Sequence, residues 1–177
     1  MTAKRFTESF ALCTQLHKDS PPGVSLEAEQ IYVQFLLVAI HAEFETMITE
    51  AIEGRIQVPN DPALTSFLMQ VRRRTMRTIR LDDLRGMLAL FGEHVKKGFT
   101  DEVAETSVAA FAYITIESNR QAVAHRGLSN LTLAEVQQHY DNALKVVQTF
   151  CRVVEESMGQ SPEVVNGLSP PNRPLVL

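Results

Sequence analysis

Only 2 cysteines occur in the 177 residues. Cys13 and Cys151 stand far apart, match no metal-ligand spacing and make no disulfide framework. Both are expected as reduced, buried thiols, which points to the cytoplasm. The Glu-x-x-His spacing by which a helical bundle holds a pair of metal ions is missing. No metal and no cofactor is therefore expected. Glycine-rich phosphate loops are absent too, as is a Ser/His/Asp motif with its local context. Excess positive charge is lacking: the formal net charge is −4 and the pI about 5.7. That excludes a protein that coats nucleic acid by bulk charge, but not one with a local basic patch. The most apolar run, "IYVQFLLVAIHAEF", is interrupted by Gln34, His41 and Glu43. It falls short of the roughly 20 apolar residues that cross a bilayer, so no membrane span is expected. The start, "MTAKRFTESFALC", is basic, but Glu8 and Ser9 break any apolar region, and no signal peptide is read there.

What is present is helical periodicity. At 45% hydrophobic and 21% charged, the chain can bury the core of one domain. A first helix covers about 3–18 and stops before "DSPPG", which cannot continue it. Ser25 is a good N-cap for a long helix running to Gly54, with Glu27 and Glu29 in its first turn. Two neighbouring apolar rows predict that this helix is mostly buried: Phe35, Val38, Ala42 and Ile52, and Leu37, Ile40, Phe44, Ile48 and Ala51. Asp61 and Pro62 open a third helix carrying "RRRTMRTIR". A short helix, about 81–91, ends at Gly92, and "GEHVKKGFT" reads as a loop. Thr100, with Asp101 and Glu102, caps a helix to about 126. "TLAE", Thr132–Glu135, is a capping box that opens the last helix, about 133–157. The sum is an all-α fold: an up-and-down bundle of about five to six helices. It divides into an N-terminal helix or arm (1–20), the bundle (25–158) and a flexible proline-rich tail (159–177).

"NRQAVAHRG", residues 119–127, sets an arginine and a histidine five residues apart where an apolar helix meets a glycine. At roughly 100° per residue, five steps put Arg120 and His125 on different faces. Either the two are unrelated, or the helix ends between them and the chain brings them together. Val108, Phe111, Thr115, Ser118, Ala122 and His125 fall on one stripe, expected to face the core, while Arg120 goes with Tyr113, Ile116 and Val123. Gly127 suits the left-handed position that stops a helix. His125 then sits in the last turn, near unpaired carbonyls and the negative end of the dipole, and can titrate near neutral pH.

With "VAIHAEFETMITEAI" in an early long helix, "ESNRQAVAHRG" ending the penultimate one and "LTLAEVQQHYDNALKVVQTF" closing the bundle, the chain resembles the HEPN superfamily over about 25–157, and within it the RiboL-PSP-type proteins. The family signature is an arginine, a polar residue, a short gap and a histidine, often with a glycine close behind. Arg120, Gln121, His125 and Gly127 occupy those positions. Gln121 stands where Asn, Asp or His is more usual, and Arg126 separates His125 from the glycine. The resemblance implies a metal-independent endoribonuclease whose motifs face each other across a homodimer cleft. His125 would be the acid–base and Arg120 the phosphate ligand, with Gln121 or Asn119 orienting one or the other. It implies a toxin or phage-defence role. A non-catalytic module binding RNA or protein stands as the alternative.

"VRRRTMRTIR" holds five arginines in ten residues. Arg73, Arg77 and Arg80 share a face; the functional reading is an RNA-backbone track, with Arg126 as a further candidate contact. The alternatives are a solvated face paired with acidic neighbours, or a dock for an acidic partner such as an antitoxin. Glu45 falls in phase with the apolar row of the long helix and calls for a cationic partner, Arg120 or an arginine of the third helix. His41 lies four residues before it. His139 and Tyr140 are expected to pack against the bundle.

Overall fold

A computed structural model of the chain describes residues 3–21, 25–57, 65–66, 68–70, 79–105, 107–127 and 129–157, the side chains of 3–5, 25 and 126 excepted. Among the described residues the helices with both ends placed are α1 (Ala3–Lys18), α2 (Ser25–Gln57), α3 (Leu81–Phe91), α4 (Glu93–Glu102), α5 (Val108–Arg126) and α6 (Leu133–Glu156). Residues 65–66 and 68–70 are helical as well, and no strand occurs among the described residues. Most of the predicted third helix, with Arg73 and Arg77, and the predicted tail 159–177 lie outside the described residues.

The three long helices form the centre. Gln34 of α2 bonds Gly127 at the end of α5, His41 meets Glu117, and Phe44 stacks on Tyr113 at 5.9 Å. Numbers rise on one helix as they fall on the other, so α2 and α5 run antiparallel. The core fills with Val33, Leu36, Leu37, Ile40, Phe44 and Ile48 from α2 and Val136, Tyr140, Ala143, Val146, Val147 and Phe150 from α6, all buried. α1 lies on this core, with Phe6 buried and stacked on Tyr140 at 3.7 Å between ring centres. The predicted capping box is formed: Thr132 Oγ1 accepts the Glu135 N–H at 3.3 Å, and Glu135 Oε2 accepts the Thr132 N–H at 2.8 Å.

Three expectations are corrected. "GEHVKKGFT" is helix α4, because Val95 and Phe99, four residues apart, turn inward together and both are buried. Gly92, at φ 130°, breaks the chain between α3 and α4. Thr100 is no cap; its hydroxyl donates to the Lys96 carbonyl at 2.9 Å inside α4. The cap of α5 is Ser107, whose Oγ accepts the Ala110 N–H at 3.1 Å. In α2 Phe35, Val38 and Ala42 of the first row face outward, because the adjacent row already fills the core, while Ile52 of that row is buried as expected. Finally, Leu26–Gln57 is long and apolar enough to cross a membrane by length and composition. Its inner row, which supplies part of that apolarity, packs in the bundle core, while Leu26, Ile31, Phe35 and Val38 are exposed.

Candidate functional site

Both ends of α5 are fixed. Ser107 caps the start. At the finish Gly127 adopts φ 68°, ψ 15°, and its N–H bonds the Val123 carbonyl at 3.0 Å. This left-handed geometry suits a residue without Cβ. Gln34 Nε2 reaches across from α2 and donates to the Gly127 carbonyl at 2.6 Å. The helix is unbroken from Val108 to Arg126, so no break between Arg120 and His125 draws them together. They sit about 140° apart around one helix, at roughly 100° per residue.

Arg120 follows Tyr113 and Ile116 toward the packed side and is half-buried. Among the described residues its guanidinium has no hydrogen-bond or ion-pair partner. His125 is exposed, at the end of an outer row formed with Ile114, Ser118 and Gln121. The stripe expected to face the core is therefore the outer one, with Val108 69% and Phe111 64% exposed. Ala110, Ala112, Tyr113 and Ile116 turn inward instead, so the buried side of α5 mixes small residues with one large aromatic. Phe111 lies 6.1 Å from the His139 ring on α6.

Asn119 is committed elsewhere. Its Nδ2 donates to the Thr115 carbonyl at 3.0 Å, and its Oδ1 accepts from Ser129 Oγ at 3.1 Å and the Asn130 N–H at 3.2 Å. It staples the connection between α5 and α6. Gln121 is exposed and its amide is uncommitted among the described residues. Glu45 is exposed and needs no buried cation; the row to which it belongs points to solvent. The buried carboxylate of α2 is Glu43, whose Oε1 accepts the Tyr140 hydroxyl at 2.9 Å. Arg80 is exposed just before α3. Arg73, Arg77 and the Arg126 side chain are outside the described residues.

The sequence reading missed Glu117. It is 8% exposed, and its Oε1 lies 2.7 Å from His41 Nδ1, the nitrogen that donates when it carries the proton. The available signal was its place on the inner row of α5, at Tyr113 plus four. His41 thus pairs with Glu117 rather than with Glu45. Among the described residues no three His, Cys, Asp or Glu side chains cluster as metal ligands.

Beside this pair a cleft of about 490 Å³ opens between the start of α3 and the outer side of α5. Arg80, Arg85, Glu105, Glu117, Ser118 and Gln121 line it. Arg85 donates to Asp82 Oδ1 at 3.2 Å and to Glu105 Oε1 at 2.9 Å. Tyr113 closes one wall; its hydroxyl donates to the Ile79 carbonyl. Burial, with the charges of Glu117 and Asp83 adding to it, holds that phenol well above its usual range and keeps it neutral. The antiparallel register sets Phe35 near the level of His125 and Val38 near that of Gln121. Both are more than half exposed, as is Ile31. α2 and α5 thus each expose aromatic and branched apolar side chains: Ile31, Phe35 and Val38 on the one, Val108, Phe111 and Ile114 on the other.

No curated protein and no solved structure matches the chain. The RiboL-PSP-HEPN family model matches residues 2–156, from α1 to the end of α6 with the Arg120–His125 motif inside. A match over so much of the chain, on an all-helical bundle, places it: the chain belongs to the RiboL-PSP-HEPN family.

Proposed function

We propose that this protein is a metal-independent endoribonuclease that acts as a homodimer, with a role as a toxin or phage-defence component. Its family points to a nuclease or RNA-binding module, and HEPN domains commonly dimerise and bind RNA. The observation that carries the reading is the exposed His125, set one residue pair before a left-handed glycine on a face of uncovered apolar side chains. Exposed apolar area of that kind marks a surface that another molecule covers. A twofold partner lying there brings a second Arg120 and His125 to the same cleft, and so removes the need for the two to share one helical face.

The chemistry suits those groups. RNA supplies its own nucleophile. The 2′-oxygen bonds to phosphorus as the P–O5′ bond breaks. A neutral His125 of one copy takes the 2′-OH proton, and the departing 5′-oxygen takes one from water. Arg120, with its planar fork of donors, binds the non-bridging oxygens as negative charge builds on them. The products are a 2′,3′-cyclic phosphate and a 5′-OH. An antitoxin or other regulatory protein would act by covering the same exposed face.

Single-stranded RNA incubated with the protein in EDTA should yield cyclic-phosphate ends, and Arg120→Ala and His125→Ala should fold and lose the activity. Cleavage by both variants at the parent's rate refutes the assignment. One observation favours the second reading, a non-catalytic RNA-binding module. Within a single chain Arg120 turns to the packed side while His125 faces out. Dimers that bind RNA and leave it intact would establish that reading.

A further inference from the structure

We propose that the cleft between α3 and α5 is the subsite for the nucleobase next to the bond that is cut, and that Glu117 selects there for bases carrying an exocyclic amino group. The inference rests on the reading of the motif as an RNA site. Position comes first. Ile114, Ser118, Gln121 and His125 form one outer row of α5, and the first three of them line the cleft. Gln121 and His125 are four residues apart, about 6 Å along the helix axis, a reach that one nucleotide spans. A strand with a phosphate at His125 therefore has its neighbouring base over the cleft. The volume of about 490 Å³ lies within the range of small-molecule sites.

Charge decides what enters. The lining carries the carboxylates of Asp82, Glu105 and Glu117 and the guanidiniums of Arg80 and Arg85. Arg85 is already engaged by Asp82 and Glu105, so the cleft has no surplus of positive charge and does not favour a phosphate. A neutral base suits it better. Ile114 and Leu81 give apolar contact, and the Arg80 guanidinium, which has no partner among the described residues, can stack on a base. The Gln121 amide can both donate and accept. Glu117 only accepts when ionised. His41 occupies its Oε1, while Oε2 has no partner among the described residues. An acceptor of that kind bonds the amino group of adenine, cytosine or guanine and meets the bare O4 of uracil unfavourably. His41, acting through Glu117, is a positioning residue.

The test uses the full-length His125→Ala protein, which holds RNA without cutting it, and 2′-O-methyl oligonucleotides of adenine, of cytosine and of uracil, titrated by fluorescence anisotropy. Adenine and cytosine oligomers should bind at least about tenfold more tightly than the uracil oligomer, the scale of one hydrogen bond to a charged group. Adding Glu117→Gln should bring the three affinities within about threefold. Because Glu117 is buried, Gln121→Ala at the exposed rim serves as a second variant and should weaken adenine binding more than uracil binding. Equal affinities for the three oligomers, with RNA still cut by the parent, overturn the subsite and leave the nuclease reading standing. A base preference that vanishes with Glu117→Gln in a parent that cuts no RNA supports the subsite and overturns the nuclease reading. Failure to bind any of the three removes both.

Discussion

Replacing Gly127 with alanine isolates the geometry that ends the motif helix. At φ 68° and ψ 15° the residue sits in the left-handed region, where a Cβ crowds the following carbonyl at a cost of about 1–2 kcal/mol. A Cβ built there meets no atom within 4 Å, so steric clash adds nothing and backbone strain is the whole of the native-state effect. Alanine also narrows the unfolded ensemble, which returns up to about 1 kcal/mol. The net loss is about 1 kcal/mol, or a Tm lowered by about 2–4 °C for a chain of this size. Gly127→Asn should lose less, since asparagine tolerates this conformation. Thermal unfolding followed by circular dichroism reads both. An unchanged or raised Tm for Gly127→Ala refutes the left-handed end of α5, and with it the placing of His125 in the last turn.

Thr132→Ala removes the hydroxyl cap of α6 and should cost about 1 kcal/mol in a denaturant titration. The Thr132 N–H, and then its hydroxyl, hold the Glu135 carboxyl below its usual range. The stability this gives is complete above the unfolded carboxylate pKa and is lost as pH falls through the lower folded value. Glu135→Gln should therefore melt below the parent at pH 7 and level with it at pH 3; an equal gap at both would contradict the linkage. Burial, with Glu155 adding to it, pushes the Cys151 thiol up to about 11. At pH 8 its reaction with a disulfide reagent should run on the order of a hundredfold slower in the folded protein than in denaturant, and equal rates would refute the burial. Phe35→Asp and Phe111→Asp change exposed side chains, so the fold should survive and light scattering should find monomers; a parent-like dimer in both would move the interface elsewhere.

Local signals were legible in the sequence, and facing was not. Gly92, Gly127 and the Thr132–Glu135 box mark helix ends through backbone chemistry confined to a few residues, and each stands where the sequence put it. α4 was hidden because Lys96, Lys97 and Gly98 dilute the Val95–Phe99 spacing that turns it inward. α2 is apolar on more than one side, and periodicity then gives the angle between rows without saying which row meets the core. For that reason Phe35, Val38 and Glu45 were expected inside, where Val33, Leu36 and Glu43 lie. The same ambiguity inverted α5, whose inner face is built partly from alanines. Of the candidate site, the motif was readable as a string. The Glu117–His41 pair depends on two helices meeting 76 residues apart in sequence, which no local pattern encodes.

In the proposed homodimer one Arg120 and one His125 from different copies cooperate on a single phosphate. Arg120→Ala and His125→Ala proteins, each inactive alone, are unfolded together, refolded as a mixture and assayed on single-stranded RNA in EDTA. The mixture should regain cleavage with cyclic-phosphate ends, since a mixed dimer holds an intact arginine on one chain and an intact histidine on the other. A mixture that contains mixed dimers and is as inactive as its parents would contradict it.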